Sequence, residues 1–220
     1  MASDSWTAPI DLGTPAANVL KQLAVALPKD RRFRIVLFGS APIQLAVANT
    51  LMSSDVDLFC DEEDLEPYVR AAGLAQDQRD FYIQVCSGLN FRTSPRWGSR
   101  TQSFELENCT VILPHPIDIL IAKLNRLEEK DLEAFRVVIR KTGHPTEAEM
   151  IHELQMAVDL FRPSFDEENA SDLVNNTRRL WPIIFGREID PRAEIIAPAL
   201  AKRRAGYGLP TRDYKRELLG

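Results

Sequence analysis

An α/β (α+β) fold, a small mixed β-sheet flanked by helices with a C-terminal helical region packed on it, is what this chain predicts. Three observations predict it. Ile35–Phe38 is an apolar, β-rich run closed by the turn signal Gly39-Ser40. Asp55-Val56-Asp57-Leu58 alternates carboxylate and apolar side chains, the period of a strand with one covered face. From Pro116 the apolar spacing changes to threes and fours. The expected layout is a flexible leader over 1–14, a core over 15–115 and a helical C-terminal region over 116–220.

In chain order, Pro15–Leu27 carries Val19, Leu20, Leu23 and Leu27 along one helical face and predicts a helix against the sheet. The first strand follows. Ser40 is placed to cap a short helix with Pro42 in its first turn, and free backbone N–H groups there suit a phosphate. After the Asp55–Phe59 strand, Asp61–Ala72 predicts a helix with acids in its first turn and Gly73 as its stop. Those acids, Asp61 to Asp64, read as a dipole-matched helix start rather than as metal ligands. Phe81–Val85 is a third strand, and Phe104–Leu106 with Thr110–Leu113 forms a hairpin around Glu107-Asn108.

Between these strands, Ser87–Arg100 reads as a long loop containing Arg92, Arg96, Arg100 and Trp97. It is either a surface excursion or a place where arginines hold a triphosphate or nucleic-acid backbone and Trp97 stacks on a base. Pro116–Arg140 reads as continuous helical periodicity, with Lys123, Arg126 and Lys130 on one face, ended by Gly143 and Pro145. Thr146–Arg162, Glu168–Phe185 and Arg192–Ala205 complete the helical region. The basic end, with Lys202, Arg203, Arg204, Arg212, Lys215 and Arg216, reads as a solvated terminus.

Composition narrows the function classes. The 220 residues are 45% hydrophobic, enough for a substantial core, and the formal charge of −5 argues against a protein that grips nucleic acid by bulk charge. Cys60, Cys86 and Cys109 are odd in number and lie in apolar contexts, which predicts buried free thiols in a reducing compartment. With no export signal or membrane-length apolar run, the expected location is cytoplasmic. His115, His144 and His152 lack metal-ligand spacing and read as structural or surface residues.

Asp55 and Asp57 are like charges side by side. A divalent cation accounts for such a pair, since Mg²⁺ takes carboxylate oxygens and bridges them to substrate phosphates. The strand ending in Gly39-Ser40, the short helix and the Asp55-x-Asp57 strand together resemble the polymerase-β-like nucleotidyltransferase superfamily. The resemblance implies a nucleotidyltransferase fold, Mg²⁺ (or Mn²⁺) as cofactor, an NTP as substrate, Asp55 and Asp57 as metal ligands, and Gly39 and Ser40 at the nucleotide.

With Lys123-Leu124-Asn125-Arg126 and Lys130-Asp131, residues 33–140 look like the abortive-infection and toxin–antitoxin type enzymes of that superfamily and their uncharacterised bacterial relatives. This second likeness implies that Lys123 and Asp131 belong to the active site and that Lys123 and Arg126 face the nucleotide. It also implies a toxin-like role, an RNA, tRNA or protein acceptor, and an antitoxin partner; a small-molecule acceptor fits other relatives. Two positions depart from the pattern: Met52-Ser53-Ser54 stands where Arg-x-Thr is frequent, and Glu133-Ala134 stands where a second aspartate usually follows. They motivate the alternative of an inactive module that binds a nucleotide or partner protein. The superfamily's third carboxylate has two candidates, Glu105, which the strand context favours, and Asp118.

Overall fold

In the computed structural model, residues 7–51, 53–164 and 172–205 are described. Five strands form one mixed sheet: β1 (Phe33–Leu37), β2 (Asp55–Phe59), β3 (Tyr82–Val85), β4 (Gln102–Leu106) and β5 (Cys109–Leu113). Their spatial order is β3-β2-β1-β5-β4. β1 runs antiparallel to β2 and parallel to β5, β2 is parallel to β3, and β4–β5 is an antiparallel hairpin. Glu107 takes φ 52° at its turn.

Strand alternation sorts the interior into two layers. Phe33, Ile35, Leu37, Val56, Leu58, Ile83, Val111 and Leu113 pack on one face with α1 (Pro15–Ala26) and Val69 of α3 (Glu66–Ala71). Val36, Phe59 and Ile112 point to the other face, into the core of the C-terminal helices. Because side chains alternate along a strand, Asp55 and Asp57 share the face of Phe59 and look toward that helical layer.

Thr14 caps α1 by accepting from the Ala17 N–H at 3.1 Å. Buried Gln44 of α2 (Ala41–Ala46) ties three segments together: its Oε1 accepts from Ala16 N at 3.0 Å and its Nε2 donates to Leu51 O at 2.9 Å. Each polar end of that amide thus has a partner, as burial requires. It fixes α2, and with it the turn out of β1, against the segment leading into β2.

The helical layer holds α4 (Pro116–Leu124), α5 (Glu129–Thr142), α6 (Glu147–Met156), α7 (Asp172–Phe185) and α8 (Ala197–Arg204). α4 is apolar on nearly all sides and buried, whereas α5 is amphipathic. Trp181, Phe135 and Phe161 are the bulkiest fully buried side chains. Among the described residues no helix is long and apolar enough to cross a membrane.

Several expectations are corrected. The helix expected over Asp61–Ala72 begins at Glu66, where Asp64 accepts from the Glu66 N–H at 3.0 Å; Gly73 does end it, at φ 68°. The periodicity expected to run through Pro116–Arg140 is cut by a turn at Asn125–Glu128, with Leu127 at φ 46°. The next apolar residue after Leu127 is Leu132, a step of five that breaks the helical rhythm. Gly143 closes α5 in the left-handed conformation at φ 73°.

The expected Ser87–Arg100 loop contains two short 3-10 turns. Its Trp97 stands edge-on to Phe91, ring centroids 5.4 Å apart, rather than facing solvent. Arg203, read as part of a solvated end, pairs with both oxygens of Asp159 at 2.8 Å. Arg212, Lys215 and Arg216 lie outside the described residues, as do Met52 and the expected helix start at Glu168.

Candidate active site

The candidate site is assembled where the C-terminal end of β1 meets the start of β2 and the end of α4. The backbone turns out of β1 at Gly39, whose φ of 65° lies in the left-handed region that favours glycine. A Cβ there would fall 2.0 Å from Asp57 Oδ2, so the Asp57 carboxylate lies directly against the Gly39 backbone. Ser40, expected as an N-cap, instead adopts helical φ and ψ and makes no capping bond. Extended ψ is what an N-cap needs, and the Gly39 turn does not provide it. The Ser40 hydroxyl instead accepts from Lys123 Nζ at 3.0 Å.

Lys123 is buried near the end of α4 and its ammonium also donates to Asp131 Oδ1 at 2.8 Å. The break between α4 and α5 makes this possible, because it folds the start of α5 back toward Lys123. Asp131, fully buried, uses its other oxygen to accept from the Glu128 N–H at 3.0 Å, closing the first turn of α5. Burial works against the Asp131 charge, but the Lys123 ammonium and the Glu128 N–H outweigh it and hold its carboxyl below the ordinary value. A chain of contacts therefore runs Glu128, Asp131, Lys123, Ser40, ending beside Gly39 and Asp57.

Lys123, Arg126 and Lys130 do not share one helix face as expected. They sit on α4, in the turn and on α5 respectively, and all three act electrostatically on Asp57. Arg126 is half exposed, with Nε 3.2 Å from Glu128 and 3.5 Å from Asp131. Despite these cations, burial and then the neighbouring Asp55 push the Asp57 carboxyl up to about 6. Asp55 accepts from the Ser53 hydroxyl at 2.7 Å. Two carboxylates on one strand face, one of them pushed up, form a site short of positive charge at close range.

The donor set suits a hard divalent cation. Mg²⁺ takes one or two carboxylates and completes its shell with water and substrate phosphates. Among the described residues there is no cluster of three or more His, Cys, Asp and Glu able to hold a metal. Asp55 and Asp57, on one face of β2, supply the two carboxylates that such an ion takes.

Of the two candidates for a third carboxylate, Glu105 stands away from the pair and Asp118 is committed to an arginine. Glu105 pairs with Thr110, which pairs with Arg34, whereas Asp57 lies level with Phe38. Four residues along β1 is about 13 Å, and β4 is three strands away from β2, so Glu105 is not brought to the cluster. It accepts instead from Thr110 Oγ1 at 2.8 Å and lies 3.5 Å from Arg32. Asp118 is fully buried and bound through both oxygens by Arg100 at 2.7 Å.

Arg100 also meets Glu153 at 2.8 Å, and Arg96 approaches Glu153 at 3.6 Å. Burial opposes the Arg100 charge, but Asp118 and Glu153 overcome it and hold the guanidinium firmly protonated. Arg100 therefore anchors the 87–100 segment to the helices and is not presented to a ligand, while half-buried Trp97 packs against the helical core. His115 caps α4 by accepting from the Ile117 N–H at 3.1 Å, and burial, then Arg100, pushes its imidazole down to about 4. The cysteines are free, with Cys109 buried and Cys60 and Cys86 partly so.

Sequence reasoning missed the Lys123–Ser40 bridge, since nothing in spacing joins residues 83 positions apart. It also missed Tyr82 and Gln84, which the register sets beside Asp55 and Asp57. A family model described as "Nucleotidyltransferase of unknown function (DUF6036)" matches residues 17–180. No curated protein and no solved structure matches the chain.

Proposed function

The chain belongs to this nucleotidyltransferase family of unknown function, and from that premise we propose that it transfers a nucleoside monophosphate from an NTP to an acceptor in a Mg²⁺-dependent reaction. The observation that carries the proposal is the carboxylate pair: Asp57 lies against Gly39 beside Asp55 on one strand face, and burial and then Asp55 push it up to about 6 against the pull of Lys123, Arg126 and Lys130. Asp55 and Asp57 would hold Mg²⁺ or Mn²⁺, which would neutralise phosphate charge and lower the cost of charge developing in transfer.

In this reading Gly39 lets the backbone and the Asp57 carboxylate approach one another closely at the phosphates. Lys123, fixed by Asp131 and Ser40, presents a positioned ammonium at the edge of the pair, and Arg126 and Lys130 draw the polyanion in from solvent. A bond forms between the acceptor atom and the α-phosphorus as the bond between the α-phosphorus and the bridging oxygen breaks. Pyrophosphate leaves and the acceptor's proton passes to solvent. RNA, tRNA, a protein or a small molecule are the acceptor classes to be screened. A toxin-like role with an antitoxin partner is part of the same proposal.

The test is calorimetry with each of the four NTPs, with and without Mg²⁺, on the wild type and on Asp55→Ala/Asp57→Ala. Metal-dependent binding that disappears in the double variant supports the site, and labelled NTP then identifies the acceptor. Absence of NTP binding in the wild type, with or without metal, overturns it.

A further inference from the structure

The row of side chains that crosses the sheet at the carboxylate pair continues onto β3. Parallel register sets Tyr82 beside Asp55 and Gln84 beside Asp57. Residues paired across neighbouring strands point to the same face. Burial agrees: Ile83 and Val85 pack with the α1 layer, while Cys86, in phase with Tyr82 and Gln84, packs against the helical layer.

β3 is an edge strand with β2 as its neighbour, and Gln84 is exposed. Among the described residues neither the Gln84 amide nor the Tyr82 hydroxyl has a hydrogen-bond partner. On the opposite side of Asp57 the row is closed by apolar Phe38, whose N–H donates to the Asp57 carbonyl at 3.0 Å. A ligand held by the pair therefore meets an apolar wall on β1 and a polar, uncommitted one on β3. The influence of the pair extends along β3: burial and then Asp57 and Asp55 push the Cys86 thiol up to about 11.

We infer that Gln84 is a substrate-contacting residue, its amide N–H donating to a phosphate oxygen of the nucleotide, with Tyr82 completing the same wall beside Asp55. The inference rests on the nucleotidyltransferase reading. An amide suits the position because it offers two N–H donors without adding charge. A carboxylate there would repel the phosphates.

The experiment measures Mn²⁺ alone and Mg²⁺–NTP binding by calorimetry on wild type, Gln84→Ala and Gln84→Glu, with melting curves to confirm folding. Gln84→Ala is expected to leave Mn²⁺ affinity unchanged and to weaken NTP binding by about tenfold or more, the loss of one hydrogen bond to a charged oxygen. Gln84→Glu is expected to tighten Mn²⁺ and weaken NTP further. If the wild type binds Mg²⁺–NTP and Gln84→Ala binds it within twofold, the role of Gln84 is overturned while the nucleotidyltransferase reading stands. Unchanged Mn²⁺ affinity in Gln84→Glu overturns the placement of Gln84 beside the pair. A wild type that binds neither metal nor NTP removes both.

Discussion

Burial pushes both Asp118 and Asp57 up from the ordinary carboxyl value, yet their surroundings are opposite in kind. Asp118 receives the Arg100 guanidinium on both oxygens and Thr93 Oγ1 as well, and Arg100 in turn meets Glu153. Asp57 has Asp55 for its nearest charged neighbour on the strand, the Gly39 backbone at its side, and cations that pull on it without neutralising it. One cluster is closed, with charge and hydrogen bonds matched inside the protein. The other has no ion pair to its carboxylates among the described residues, and the contrast teaches that partner saturation, not burial or acidity, separates an anchor from a candidate site.

Arg100→Met should give the largest effect. It strands Asp118 as a buried, uncompensated charge and leaves Glu153 only the longer pair with Arg96, a loss of about 3–5 kcal/mol. At about 2–4 °C per kcal/mol for a chain of this size, calorimetric melting should fall by roughly 6–20 °C. A loss below about 1 kcal/mol would break the comparison, because Arg100 would not then be an anchor.

Gly39→Ala attacks the open cluster through its backbone. The added Cβ meets Asp57 Oδ2 and the residue must hold a left-handed φ, so a loss of about 1–3 kcal/mol is expected together with loss of Mn²⁺ binding. Retained metal affinity in a folded variant would show that the close approach of Asp57 is dispensable.

Asp57→Asn should have the opposite sign on stability. A carboxyl raised from 3.8 to about 6 contributes stability that is fully present below the unfolded value and lost as pH rises through about 6. At pH 8 the asparagine variant should therefore be more stable by about 1–2 kcal/mol, a figure discounted for the part of Asp57 that meets solvent, and metal-dependent NTP binding should vanish. Below pH 4 the stability gain should disappear. In the wild type, Mn²⁺ affinity should rise as pH increases through about 6, because the ion competes with the Asp57 proton. A pH-independent affinity would separate the ion from Asp57.

The smallest change is expected at the rim. Lys130→Ala removes a mostly exposed cation 3.2 Å from Glu128, so stability should move by less than about 0.5 kcal/mol. NTP affinity should fall by a few-fold and less so at high salt, measured by titration at two ionic strengths.

Much of the fold was legible because it follows local rules. Gly73 and Gly143 end their helices in the left-handed conformation, the chain turns out of β1 at Gly39, and the alternation in β2 puts both aspartates on one face. The break before α5 left a trace in the five-residue step from Leu127 to Leu132, which the surrounding helical composition masks. The loop arginines misled because Arg100 has the same local signature whether it meets solvent phosphate or a buried carboxylate.

By itself the sequence determined the strand–turn–helix–strand unit, the pairing of Asp55 with Asp57 and the helical character of the C-terminal part, since these depend on side-chain period and on backbone preferences within a few residues. Only the tertiary structure decided that Lys123 reaches Ser40, that Asp131 both closes α5 and holds Lys123, that Glu105 stands at the far end of the sheet, and that Gln84 stands beside Asp57. Those relations join residues far apart in the chain. They come from strand register and helix packing, which minimise exposed apolar area and unpaired charge over the whole molecule at once.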